Sequence, residues 1–192
     1  LNIPHWNTSG VIPSIRPGVS GHDRDRSPYL ATLVEFIEFF CFSQERVNIA
    51  EGFLTYRAKL HAIGFHDGFQ WLNGSFSENI ELNEARSPND IDVVTFFHPP
   101  AGADLASIAE SNIDLFDSQL AKAKYRVDGY FSQLGLPQRE NEVKLVSYWY
   151  SIWSHRRDGL WKGFVQVPLD PRQDDDATAR LKEIGEYWTN HD

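Results

Sequence analysis

The sequence predicts an α+β (mixed α/β) chain, a small mixed β-sheet with helices flanking it. Three observations lead there. The first half holds helix-length stretches whose apolar residues recur at helical spacing. Strand-length runs of β-branched and aromatic residues then alternate with further helical stretches. The 192 residues are 41% hydrophobic and 14% aromatic, enough for one packed core and too apolar for a disordered chain.

The elements follow in order. Residues 1–27, rich in Pro, Gly and Ser, read as an extended arm anchored on the body by Ile3, Trp6, Val11 and Ile12; residues 28–192 read as a single domain. Pro28, with Ser27 as N-cap, is expected to open a helix through "YLATLVEFIEFFCF". A second helix, "SQERVNIAEGFLTYRAKLHAIG", begins near Ser43 and Arg46, places Val47, Ala50, Leu54, Ala58 and Ile63 near one face, and stops at Gly64. "FQWLNGSF" is a strand running into a turn, and "DIDVVTFF" is a buried strand ended by "HPPAG". Asp104–Lys124 is helical in composition, "YRVDGYFSQL" reads as a third strand, and a helix is expected over Glu140–Arg157. A fourth strand, "WKGFVQVPL", and an acidic-started helix over Asp174–Trp188 complete the chain.

Composition excludes several function classes. A formal net charge of −9 does not supply the clustered Lys and Arg that nonspecific nucleic-acid binding requires. No apolar run approaches the roughly 18 residues of a membrane span; the strongest, Leu33–Phe42, is broken by Glu35 and Glu38. Leu1–Ser20 carries prolines and no apolar h-region, so no signal peptide is expected. The single cysteine, Cys41, precludes an internal disulfide; its apolar setting reads as a buried thiol in a reducing cytoplasm. His61, His66 and His98 lack the spacing of a helical zinc site.

The chemistry centres on carboxylates. Residues two apart on a strand share a face, so Asp90 and Asp92 project together at the head of "DIDVVTFF". Their repulsion is relieved by a cation between them, and an oxygen-only ligand set favours Mg²⁺ or Mn²⁺. Asp128 sits among apolar neighbours in a later strand, where an unpaired carboxylate is costly. If that strand lies beside the first, three carboxylates share one site, which can hold two metals. Gly74-Ser75, a small pair after a strand, lets backbone N–H groups approach a phosphate. Arg156, Arg157 and Lys162 in "SHRRDGLWKG" suit either a phosphate clamp or the capping of a helix dipole before Gly159. Lys122, Lys124 and Arg126 read as a solvated basic face.

"LNGSF…NDIDVV" resembles the signature of the polymerase-beta-like nucleotidyltransferase superfamily. "PNDIDVV" and "YWYSIWSHRRDGLWKGFVQVPL" resemble, more narrowly, a little-characterised bacterial and phage nucleotidyltransferase-like family, over about Pro4–Leu169. The resemblance implies a nucleotidyltransferase-like fold. It implies Gly74 and Ser75 on the triphosphate and Asp90 and Asp92 on Mg²⁺. Asp128 would assist one metal and accept the proton of the acceptor hydroxyl. The implied reaction moves a nucleoside monophosphate from a nucleoside triphosphate to a hydroxyl of a protein, RNA or small molecule. Phe76 stands where such proteins carry a basic residue after Gly-Ser. That departure motivates a second reading: a module that keeps the fold, works through a protein partner as antitoxins and defence components do, and uses the aromatic segment from Trp149 to Trp161. Phosphate hydrolysis by the same carboxylates is a third.

Overall fold

A computed structural model describes residues 2–137 and 139–191. A five-stranded mixed sheet runs β1-β5-β2-β3-β4, formed by β1 (Tyr29–Leu30), β2 (Gly68–Asn73), β3 (Ile91–Phe97), β4 (Val127–Gln133) and β5 (Val165–Pro168). β2 is antiparallel to both β3 and β5, while β4 joins β3 in parallel and β1 joins β5 in parallel. The α+β class is therefore correct, with one strand more than the four expected.

The extra strand explains the first departure. Helix α1 spans Leu33–Phe40 and does not begin at Pro28. Its N-cap is Thr32, which forms a reciprocal capping box with Glu35. Ser27 is used elsewhere: its hydroxyl accepts the Phe164 amide proton at 2.9 Å, beside the pairing of β1 with β5. Helix α2 (Gln44–Ala62) starts on the Ser43 cap, and Gly64 follows with φ +94°. Its buried face includes Val47, Ala50 and Leu54, but Ala58 is exposed. Arg46 and Arg57 take buried places that apolar periodicity did not anticipate.

The helical stretch over 104–124 is divided into three helices, α4 (Leu105–Ser111), α5 (Ile113–Phe116) and α6 (Ser118–Tyr125). Asp117 breaks the run because its side chain accepts from the Leu120 amide and so caps a new helix. A short helix, α3 (Ile80–Glu84), lies between β2 and β3. Helix α7 (Glu140–Trp153) ends before Arg156 and Arg157, which fall in the following turn; α8 (Asp174–Thr189) closes the chain.

The sheet has two unlike faces. Leu72, Ile91, Val93, Phe97, Val127, Val165 and Val167 belong to the main core with residues of α1, α2, α6 and α8. The alternate residues Trp71, Val94 and Phe96 pack with Trp149 and Trp153 of α7. The main face also carries a polar column: Arg57 donates to Gln70 at 2.6 Å and to Asp174 at 2.7 Å, and Gln70 donates to Thr95. Burial pushes the Asp174 carboxyl up, but hydrogen bonds from His61 and Arg57 outweigh it and hold it below the usual range. The arm reaches the body through the Trp6 indole on the Ser77 carbonyl and the Gly163 amide on the Ile12 carbonyl. No helix among the described residues is long and apolar enough to cross a membrane.

Candidate active site

Strand register builds the site. In the parallel β3–β4 pair, Asp92 stands directly opposite Asp128. Paired residues of adjacent strands project to the same face. For these two it is the α7 face, since Asp92 alternates with Val93 of the main core. In the antiparallel β2–β3 pair, Asp92 lies opposite Asn73, so the chain leaving β2 must turn over the Asp92 carboxylate. Gly74 makes that turn with φ +79°, and a Cβ there would come within 2.7 Å of Asp92 Oδ2. Ser75 then opens a short 3₁₀ turn, Ser75–Ser77. The Gly-Ser pair and the two strand aspartates thus meet at one point.

Asp90 lies one residue before β3 and is 7% exposed. Its Oδ2 is shielded from solvent, and the Lys122 ammonium of α6 pairs with it. The same ammonium is 4.0 Å from Asp128 Oδ2. Lys122 is therefore not a solvated charge: the last turn of α6 aims it at the carboxylates. Its neighbours turn elsewhere, Lys124 to Asp114 and Arg126 to Glu45.

Burial, then the Asp90 and Asp128 charges, push the Asp92 carboxyl up to about 6, against opposing pulls from Lys162 and Lys122. Burial and the Asp128 carboxylate push the Tyr130 phenol, next but one along β4, up to about 12.

The basic residues after α7 separate. Lys162 is 5% exposed, and its ammonium donates to Glu78 Oε1 at 2.7 Å and to the Gly74 carbonyl at 3.4 Å. It holds the Gly74 turn from beneath. Arg156 lies at the rim, 3.5 Å from Glu78 and 3.4 Å from Asp158. Arg157 is exposed and makes no ion pair with any described residue, so it is not assembled with the rest.

Two residues that matter here escaped the sequence. Glu78 is a buried carboxylate in a polar spacer and carries no motif. Arg46 is fully buried: it donates to both oxygens of Glu81 and to the carbonyls of Phe76, Glu78 and Phe40. It thereby fixes the chain from the Gly-Ser turn into α3.

The donor chemistry suits a hard divalent cation, because three oxygen-only side chains crowd together and, with burial, their mutual repulsion raises the Asp92 carboxyl. The ligand shell is not closed: among the described residues, no group of three or more His, Cys, Asp or Glu side chains is arranged to hold a metal ion. Two surface hollows, of about 410 and 590 Å³, lie away from the carboxylates, beside Leu30 and Phe69 and beside His5 and Arg16.

Residues 4–168 match the model of a family described as a family of unknown function, DUF6932. The chain belongs to that family. No curated protein and no solved structure matches it. The family's match takes in the Gly74–Ser75 turn, all three aspartates, Lys122 and Lys162, and ends at the last residue of β5.

Proposed function

We propose that this DUF6932 protein is a metal-dependent nucleotidyltransferase, moving a nucleoside monophosphate from a nucleoside triphosphate to a hydroxyl of a protein, RNA or small molecule. The observation that carries the reading is the register: Asp92 opposite Asp128, with the Gly74 backbone against Asp92. The resemblance of "LNGSF…NDIDVV" to the polymerase-beta-like superfamily supports the same reading.

Asp90, Asp92 and Asp128 are the residues that would hold Mg²⁺ or Mn²⁺. Such a cation supplies charge neutralisation at the transferring phosphoryl group. The chain's own contribution is positional. The Gly74–Ser75 backbone approaches the phosphates. Lys162 and Glu78 keep that turn rigid. Asp128, a quarter exposed, faces an incoming hydroxyl and takes its proton. Arg156 lies 3.5 Å from Glu78, beside the same turn. A cytoplasmic setting suits the buried free thiol of Cys41.

The test is transfer of α-labelled nucleoside triphosphates, with Mg²⁺ or Mn²⁺, into an extract, beside Asp92→Asn. Label fixed to a macromolecule by the native chain alone supports the reading and gives the acceptor class. Absence of both transfer and calorimetric nucleotide binding sinks it.

A second reading, a catalytically weak module that acts through a protein partner, draws on a different observation. Leu145, Tyr148 and Ile152 share one flank of α7 and are 41%, 55% and 44% exposed, while Trp149 and Trp153 of the same helix are buried, so the partner surface would be that flank and not the whole aromatic segment. Glu78 also engages Lys162 and Arg156, two cations otherwise available to a triphosphate.

A further inference from the structure

The position of Lys122 goes beyond the general reading of the site. Three carboxylates meet at the heads of β3 and β4, and an uncompensated cluster of this kind attracts the nearest mobile cation. Two ammonium groups are in reach, and they differ. Lys162 is buried, and Glu78 and the Gly74 carbonyl hold its ammonium. Lys122 is half exposed along its side chain, and its ammonium pairs with Asp90 while lying 4.0 Å from Asp128. Asp90 Oδ2 accepts no well-formed hydrogen bond from any described residue, so the Lys122 charge is its main compensation.

We propose that the Lys122 ammonium is a resident counter-ion standing where a divalent cation would bind, and that cation and ammonium exclude one another. The inference rests on the metal-dependent reading above. It also accounts for the open ligand shell: Asp90 is drawn toward α6 while Asp92 stays under Gly74. Displacement is feasible because the Lys122 stem already reaches solvent, so its ammonium can swing out without disturbing α6. The backbone of α6 is held independently of the Lys122 side chain, by the Asp117 cap at its start and by buried Ala121 and Tyr125.

The experiment is a titration with Mn²⁺ alone, read by the loss of the free-ion electron paramagnetic resonance signal, at low ionic strength. Removing a competing charge a few ångströms from the cation is expected to tighten binding about tenfold in Lys122→Gln. Lys122→Arg keeps the charge and binds no more tightly than the native chain. Lys124→Gln removes a charge from the same helix without touching the carboxylates, and matches the native chain. Circular dichroism establishes that each variant is folded. Mn²⁺ binding in the native chain with no gain in Lys122→Gln overturns the counter-ion role and leaves the metal reading standing. Equal tightening in Lys124→Gln overturns it too, by reducing the effect to net charge. Failure of both the native chain and Lys122→Gln to bind Mn²⁺ removes the metal reading itself, and the inference with it.

Discussion

At Asp92 the same forces that prepare a cation site weaken the fold. Its carboxyl is pushed from 3.8 to about 6 by burial and by Asp90 and Asp128. Folded protein therefore holds this proton below about pH 6, whereas the unfolded chain holds it only below about 3.8. Raising the pH across that window strips a proton that the folded state binds more tightly, so stability falls as pH rises from about 4 to 6 and stays low above. Asp92→Asn is predicted to remove this slope and to stabilise the metal-free protein at neutral pH, by about 1–3 kcal/mol. Urea unfolding of both proteins across the pH series, with chelator present, measures the difference; parallel curves would contradict it. The same substitution should abolish Mn²⁺ binding.

Gly74 is the second residue where local geometry decides. Its positive φ and the 2.7 Å approach to Asp92 Oδ2 leave no room for a methyl group. Gly74→Ala is predicted to cost about 1–3 kcal/mol and to move the Ser75 turn off the carboxylate. Denaturant midpoints and Mn²⁺ affinity should both drop, and a native-like value for either would count against the proposed packing.

Among the elements, the link between β2 and β3 depends on one arginine. The 3₁₀ turn and α3 are too short to hold themselves, and Arg46 of α2 ties them down through Glu81 and two spacer carbonyls. Arg46→Met keeps the apolar stem but orphans Glu81 and those carbonyls, with a predicted loss of about 3–5 kcal/mol. Amide exchange should accelerate first at 76–84, ahead of the β3 strand; uniform acceleration across the sheet would assign Arg46 a global role instead. At this scale the sequence was informative where one local rule operated. Ser43 starts α2, Gly64 follows its end, and the acidic first turn of α8 begins at Asp174. It misled where two signals competed. Ser27-Pro28 has the form of a helix start, but Tyr29–Leu30 found a strand partner about 135 residues away, and Thr32 took the cap. Asp117 could as readily be an exposed helix residue as a cap, and the tertiary arrangement chose the cap.

For the molecule as a whole, the sheet divides the chain into a thick, fully packed side and a thinner side covered by α7. The carboxylates open on the thinner side. Tyr148 and Ile152 of α7 are 55% and 44% exposed, so Tyr148→Gln and Ile152→Gln should shift stability by no more than about 0.5 kcal/mol. Thermal midpoints check this. Loss of a copurifying protein from the same variants, at unchanged stability, would favour the partner reading over transfer.

By itself the sequence determined the α+β class, the apolar strands, and the spacing of Asp90 and Asp92 after a small Gly-Ser turn. These follow from period, composition and turn chemistry, which act over a few residues. Only the tertiary structure decided that β4 lies parallel to β3 in the register that sets Asp128 opposite Asp92, that Lys122 turns inward while Lys124 and Arg126 do not, and that Glu78 and Arg46 are buried. Each of these depends on contacts between residues far apart in the chain or on the choice of one rotamer among several. A charged side chain in a polar stretch looks the same in sequence whether it meets water or an opposite charge.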